Sequence, residues 1–124
     1  MKPLTITASH VPAGLVLEVA GDLDYTNAQE LRHAAQDGDL PPGRFLVVDL
    51  SELAFCDSSG ITALIAAHHH AVAAGAGMVL VAVPARTRRL LHMTGLDQMF
   101  DIRDDAASLL GRRGRPAPGA PPRS

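Results

Sequence analysis

Two unbroken apolar runs, Phe45-Leu46-Val47-Val48 leading into Asp49-Leu50 and Met78-Val79-Leu80-Val81-Ala82-Val83, restrict this chain more than any other feature. Each is far shorter than the ~18 apolar residues that a membrane-crossing helix takes. Neither alternates with polar positions, as a strand with one wet face would. They predict strands over Arg44 to Leu50 and Met78 to Val83, buried on both faces. Such strands belong to parallel sheets, whose crossovers are usually helices.

The intervening sequence supplies those helices. After Gly21-Asp22-Leu23-Asp24-Tyr25, Thr26 and Gln29 have capping-box spacing, Leu31, Ala34 and Ala35 form an apolar stripe, and Gly38 closes the helix. A second helix starts near Ser58 or Ser59 and runs to about Ala74, where Gly75 and Gly77 stop it. Ile61, Leu64, Ile65, His68 and Val72 share one side of it. Pro84 suits the first turn of a third helix, Arg86 to Met93, ended by Thr94-Gly95. Ahead of these, Leu4 to Ser9 alternates at the strand period and Leu15 to Gly21 reads as its hairpin partner across Pro12 and Gly14. Met99-Phe100-Asp101-Ile102 reads as a last strand, and Asp104 and Asp105 start a short helix finished by Leu110. The expected fold class is therefore α/β: a mixed, mainly parallel sheet of about five strands with about four helices packed on it. Residues 1–110 form one domain. Residues 111–124, Pro- and Arg-rich without periodicity, read as a disordered tail.

Composition narrows the function classes. A length of 124 residues with 47% apolar content suits one globular core, and with no Trp and three Phe that core must be aliphatic. The net charge of −2 gives no electrostatic footprint for nucleic acid. One cysteine cannot form an internal disulfide, which fits a reducing compartment. Met1 to Thr7 lacks a signal-peptide core, and the longest apolar stretch, Ala71 to Ala85, is interrupted by glycine. These features lead us to expect a cytoplasmic protein without direct nucleic-acid or membrane contact.

Enzyme motifs are weak. Cys56-Asp57-Ser58-Ser59-Gly60 lacks the first Gly of a hydrolase elbow, and Gly75-Ala76-Gly77 follows a helix and precedes a strand, the reverse of a phosphate cradle. Asp49 ends a buried strand, as a phosphate-accepting aspartate does in response regulators, but the late lysine of that chemistry is missing: Lys2 is the chain's one lysine. His68-His69-His70 are consecutive, so on a helix they point about 100° apart, whereas helical zinc ligands sit at i and i+4. No metal, cofactor or catalytic residue is expected. Cys56 reads as a buried filler, and Arg86, Arg88 and Arg89 as solvated charge.

Asp57-Ser58-Ser59-Gly60 stands apart. Asp and Ser cap helices, and this stretch precedes one. Yet capping needs one such residue, and here two serines follow an aspartate in a loop after a sheet strand, where α/β folds place their sites.

The run Phe55-Cys56-Asp57-Ser58-Ser59-Gly60-Ile61, after Ser51-Glu52-Leu53, resembles the signature of anti-sigma factor antagonists, which are STAS domains. The likeness continues in Gly21-Asp22-Leu23-Asp24 with Thr26, and in Pro84-Ala85 through Leu90 and Met93-Thr94-Gly95-Leu96, covering roughly Leu4 to Leu110. The resemblance implies that Ser58 is the phosphoacceptor. It implies that Asp22, Asp24, Asp57, Ser58, Ser59, Gly60 and Thr62 line the partner surface. The implied partners are an anti-sigma factor serine kinase with a histidine-kinase-like ATPase fold, bound by the unphosphorylated form to free a sigma factor, and a serine phosphatase that restores binding. Thr62 stands where many members carry Gly, and Cys56 where Met is common. Two other readings remain open: a STAS accessory subunit of a transporter or lipid-trafficking complex, and a small enzyme with Ser58 as nucleophile.

Overall fold

The computed structural model describes residues 2–105. Its strands are β1 (Thr5–Val11), β2 (Gly14–Leu23), β3 (Phe45–Asp49), β4 (Leu53–Cys56), β5 (Gly77–Val81) and β6 (Asp101–Arg103). Its helices are α1 (Ala28–Asp37), α2 (Ser58–Ala73) and α3 (Ala85–Met93), followed by a 3-10 turn at Leu96–Gln98. The sheet runs β1-β2-β3-β5-β6, and β4 continues beside the end of β2. Among the described residues, β1 and β2 alone pair antiparallel; the other pairings are parallel.

The two apolar runs became the central strands. Leu46 lies between Leu15 and Met78, and Val48 between Leu17 and Leu80. These residues face one way and are almost wholly buried. The chain steps across the sheet in a single direction, so right-handed crossovers place every helix on the same face. Leu31 and Ala35 of α1, Ile61, Leu64, Ala67 and Ala71 of α2, and Leu91 of α3 accordingly share one core with that row. Val16, Val47, Val79 and Val81 form a separate buried cluster on the opposite face. Both faces of the central strands are closed to water, which is why their sequences do not alternate.

Several boundaries differ from the sequence reading. The sheet has a sixth strand, β4, because Leu53–Cys56 pairs with Gly21–Leu23 across a register shift at Gly21/Asp22. β5 stops at Val81, not Val83. Ala82 takes a φ of +55°, outside strand geometry, while its N–H donates to the Arg103 carbonyl. The last strand falls at Asp101–Arg103 and not at Met99–Ile102. The Thr26–Gln29 capping box does not form, since α1 begins at Ala28 after Asn27 and has no side-chain cap of that kind. On α2, which packs against α1, Ala63, Ala67 and Ala71 are buried with Ile61 and Leu64, whereas Val72 is 55% exposed. Asp104 and Asp105 are not helical. The rest of the expected fourth helix and the expected tail lie outside the described residues.

Candidate functional site

Two helix starts meet at one rim of the sheet. β4 feeds α2 and β2 feeds α1, and the two strands are paired, Leu23 against Cys56. The pairing extends one residue further: the Asp57 N–H donates to the Leu23 carbonyl at 3.2 Å. The turn Asp24–Asn27 and the segment Asp57–Thr62 are thus fixed side by side.

Asp57 caps α2. Its Oδ1 accepts from the Ser59 N–H at 2.8 Å and the Gly60 N–H at 3.2 Å, while its carbonyl takes the Ile61 N–H at 3.1 Å. These bonds satisfy all but one of the first-turn donors that any helix leaves unpaired. Ser58, the first helical residue, is exposed, and its hydroxyl has no hydrogen-bond partner among the described residues. The cap and the free hydroxyl therefore belong to different residues. Thr62 lies one turn on, also exposed, and its Oγ1 donates to the Ser58 carbonyl at 3.0 Å. Ser59 is half-buried beside them.

Gly60 is buried for a steric reason. A Cβ there would lie 2.6 Å from Cys56 Sγ and 2.9 Å from Leu23 Cδ2, distances that no packed carbon adopts. A small residue is required for α2 to seat against β4 and β2, which positions Ser58 at the rim. Burial, and secondarily the charge of Asp57, pushes the Cys56 thiol up from 9.0 to about 12. It stays protonated at neutral pH, its Sγ donating toward the Asp57 carbonyl at 3.5 Å, so it serves as filler beneath the helix start.

The aspartates of the neighbouring turn are bound internally. Asp24 Oδ1 accepts from the Thr26 N–H at 2.9 Å and from the Thr26 hydroxyl, and the Asp24 carbonyl takes the N–H groups of Asn27 and Ala28. Asn27 closes the loop: its Oδ1 accepts from the Asp24 N–H at 2.9 Å, and its Nδ2 donates to the Asp22 carbonyl at 2.9 Å. Asp22 pairs with the start of the chain, its Oδ2 accepting from the Lys2 N–H at 3.0 Å. The structure brings Asp57, Ser58, Ser59, Gly60 and Thr62 together with Asp22 and Asp24 at one rim. Sequence reasoning missed Asn27, which an Asx-type turn signal could have found, and Lys2, which nothing local indicates.

The remaining candidates lie elsewhere. Asp49 Oδ1 accepts from the Ser51 N–H at 2.9 Å, closing the turn between β3 and β4. His68 meets Phe100 edge-on at 5.8 Å, and burial, then the neighbouring His69, lowers its pKa below 6.5. Among the described residues, no three His, Cys, Asp or Glu side chains are placed to hold a metal. A cleft of about 600 Å³ between α3 and β6, lined by Arg88, Arg89, His92 and Phe100, is away from Ser58, and Arg88 there reaches Asp104 at 3.7 Å. No described helix is long and apolar enough to cross a membrane.

Fold and site together define a class: a small α/β domain whose sheet rim carries a serine-bearing, aspartate-capped helix start. A family model described as the STAS domain matches residues 4–109. The chain is 30% identical over 99 residues to the anti-sigma-F factor antagonist RsfB of Mycobacterium tuberculosis, covering 80% of each chain. It is 27% identical over 93 residues to the anti-sigma-B factor antagonist of Listeria monocytogenes, covering 75% of this chain and 82% of that one. An anti-sigma factor antagonist from Mycobacterium paratuberculosis, solved by crystallography, superposes with a TM-score of 0.74 at 29% identity, over 88% of this chain and 92% of that one. The chain belongs to the STAS domain family.

Proposed function

We propose that this chain is an anti-sigma factor antagonist switched by phosphorylation of Ser58. Unphosphorylated, it binds an anti-sigma factor serine kinase in the cytoplasm and so frees a sigma factor. Phosphorylation ends the binding, and a serine phosphatase restores it. The observation that carries this reading is the division of labour at α2: Asp57 holds the backbone donors, leaving the Ser58 hydroxyl exposed and unbonded. Ser58 is a substrate group here and not a catalyst. The names of the relatives support the same class of partner.

Charge explains the switch. A phosphoserine adds about −1.5 to −2 at pH 7. Against a negative partner group ~6 Å away, at an effective dielectric of ~20, repulsion is about 3 kcal/mol per unit charge. A near-dianion thus approaches the ~5.5 kcal/mol that moves a complex from nearly all bound to nearly all free. The N–H groups of Ser59 and Gly60 are occupied by Asp57, so the phosphate gains little local stabilisation and the change is one of surface, not fold. Thr62 extends the contact face one turn along α2.

The test is incubation with candidate anti-sigma kinases and ATP, followed by mass mapping. A single phosphate on Ser58, absent in Ser58→Ala, is expected. Co-purification with a membrane transporter complex in place of a soluble kinase would contradict the reading.

A further inference from the structure

Among the described residues, four large apolar side chains stand out in solvent: Tyr25 at 80%, Phe55 at 43%, Val72 at 55% and Met93 at 74%. Scattered singly they would need no explanation. Their places differ, however. Val72 lies 14 residues along α2 from Ser58, about 21 Å at 1.5 Å per residue. Met93 ends α3, the crossover to β6 at the sheet edge remote from β4. Phe55 is next to Cys56 on a strand, so it leaves β4 on the side opposite Cys56, whose sulfur lies beneath Gly60 and α2. Tyr25 is the one of the four carried by the turn that is fixed beside the helix start. It follows Leu23 by two residues, and the Leu23 carbonyl is bonded to the Asp57 N–H.

The turn that carries Tyr25 is unusually well fixed for an exposed loop. Asp24 and Thr26, its two neighbours, are tied to each other through the Asp24 carboxylate, and Asn27 clamps both Asp24 and Asp22. Yet Tyr25 itself makes no hydrogen bond or ring contact among the described residues. The turn would hold without its ring. An aromatic side chain with a polar tip, presented on a rigid turn, loses little conformational freedom on docking, which is the property of interface anchors.

We infer that Tyr25 is the apolar anchor of the Ser58 surface: the anti-sigma factor seats its ring in an apolar pocket next to the groups that meet Ser58. This inference rests on the proposed function of Ser58 and names how the same partner is held. Ser58 then decides whether the complex forms, and Tyr25 how long it lasts. Removing a buried anchor acts mainly on dissociation, whereas added charge opposes association as well.

The test uses the full unphosphorylated chain and the histidine-kinase-like anti-sigma factors encoded in its own genome, each purified with ADP, with binding measured by calorimetry and by surface kinetics. Wild type binds at least one of them. Toward that partner, Tyr25→Ala and the turn-compatible Tyr25→Asn lose roughly 10- to 100-fold in affinity, chiefly as faster dissociation. Tyr25→Phe stays within about threefold and Val72→Ala is unchanged. Thermal unfolding verifies that each variant retains the wild-type fold. Wild-type affinity in both Tyr25→Ala and Tyr25→Asn would overturn the inference while leaving the Ser58 reading intact. No binding by wild type to any of these kinases would overturn the Ser58 reading, and this inference with it.

Discussion

The two helix starts at the rim solve the same problem in opposite ways. At α2, a single aspartate outside the helix takes two of the first-turn donors, and the residue that follows it is polar and exposed. At α1, Asp24, Thr26 and Asn27 bind one another in a closed turn, and the residue enclosed between them is an exposed tyrosine. Asp24 and Asp57 each stand just ahead of a helix in the sequence. In the folded chain, Asp57 leaves an exposed hydroxyl beside its cap, whereas Asp24 holds a turn that displays an exposed aromatic ring. Under the proposed function, the acidic residues at this rim would act on a partner largely through what they hold in place.

That comparison can be broken by substitution. The largest loss of stability should follow Gly60→Ala, which forces a carbon against Cys56 and Leu23. Overpacking of this kind costs about 1–3 kcal/mol, so urea unfolding should shift strongly, and Gly60→Ala combined with Cys56→Ala should recover part of the loss. Asp57→Ala should cost about 1–2 kcal/mol, since it strips a cap from two N–H groups, and Asp57→Asn should restore most of it. Asn27→Ala should cost about 1 kcal/mol by freeing the turn, with α2 unaffected. If Asp57→Ala and Asn27→Ala prove strongly non-additive, the two starts are one unit and the contrast between them fails.

Two titrations sharpen it further. The folded Cys56 thiol has its pKa raised to about 12, so the unfolded chain ionises first as pH rises. Stability from this group is full below about pH 9 and is lost between about pH 9 and 12. The difference in unfolding free energy between wild type and Cys56→Ala should shrink across that window. For His68 the sign is reversed. Its folded pKa is lowered, so the unfolded chain binds the proton first, and stability falls as pH drops through 6.5. Subtracting the curve of His68→Phe, which keeps the ring contact with Phe100, isolates this smaller effect. Smallest of all, phosphorylation of Ser58 should lower the melting temperature by less than about 4 °C, on the order of 1 kcal/mol for this size.

The central sheet was legible because burial on both faces leaves unbroken apolar runs, as in β3 and β5. The start of α2 was legible because Asp57 is a strong local cap. β4 was not, since Leu53–Cys56 is short and half-exposed and acquires strand geometry only by pairing with Gly21–Leu23. The α1 start misled because Asp24 captures the Thr26 hydroxyl that a capping box would use. On α2, counting large apolar residues pointed to Val72, whereas in the fold it is Ala63, Ala67 and Ala71 that are buried. At the site, the aspartate followed by two serines was visible in the sequence, and the family resemblance singled out Ser58 between the two. Tyr25 could not be picked out, because exposure of an aromatic residue is a property of the folded turn.

In the proposed switch, Ser58 controls a surface and leaves the fold intact. Its most direct test is kinase affinity for the wild-type chain before and after phosphorylation, with melting temperatures measured on the same samples. Phosphorylation should weaken binding by at least a hundredfold, about 2.7 kcal/mol, with melting shifted by less than about 4 °C. Undiminished binding by the phosphorylated chain, or lost binding accompanied by a collapse in melting temperature, would contradict it.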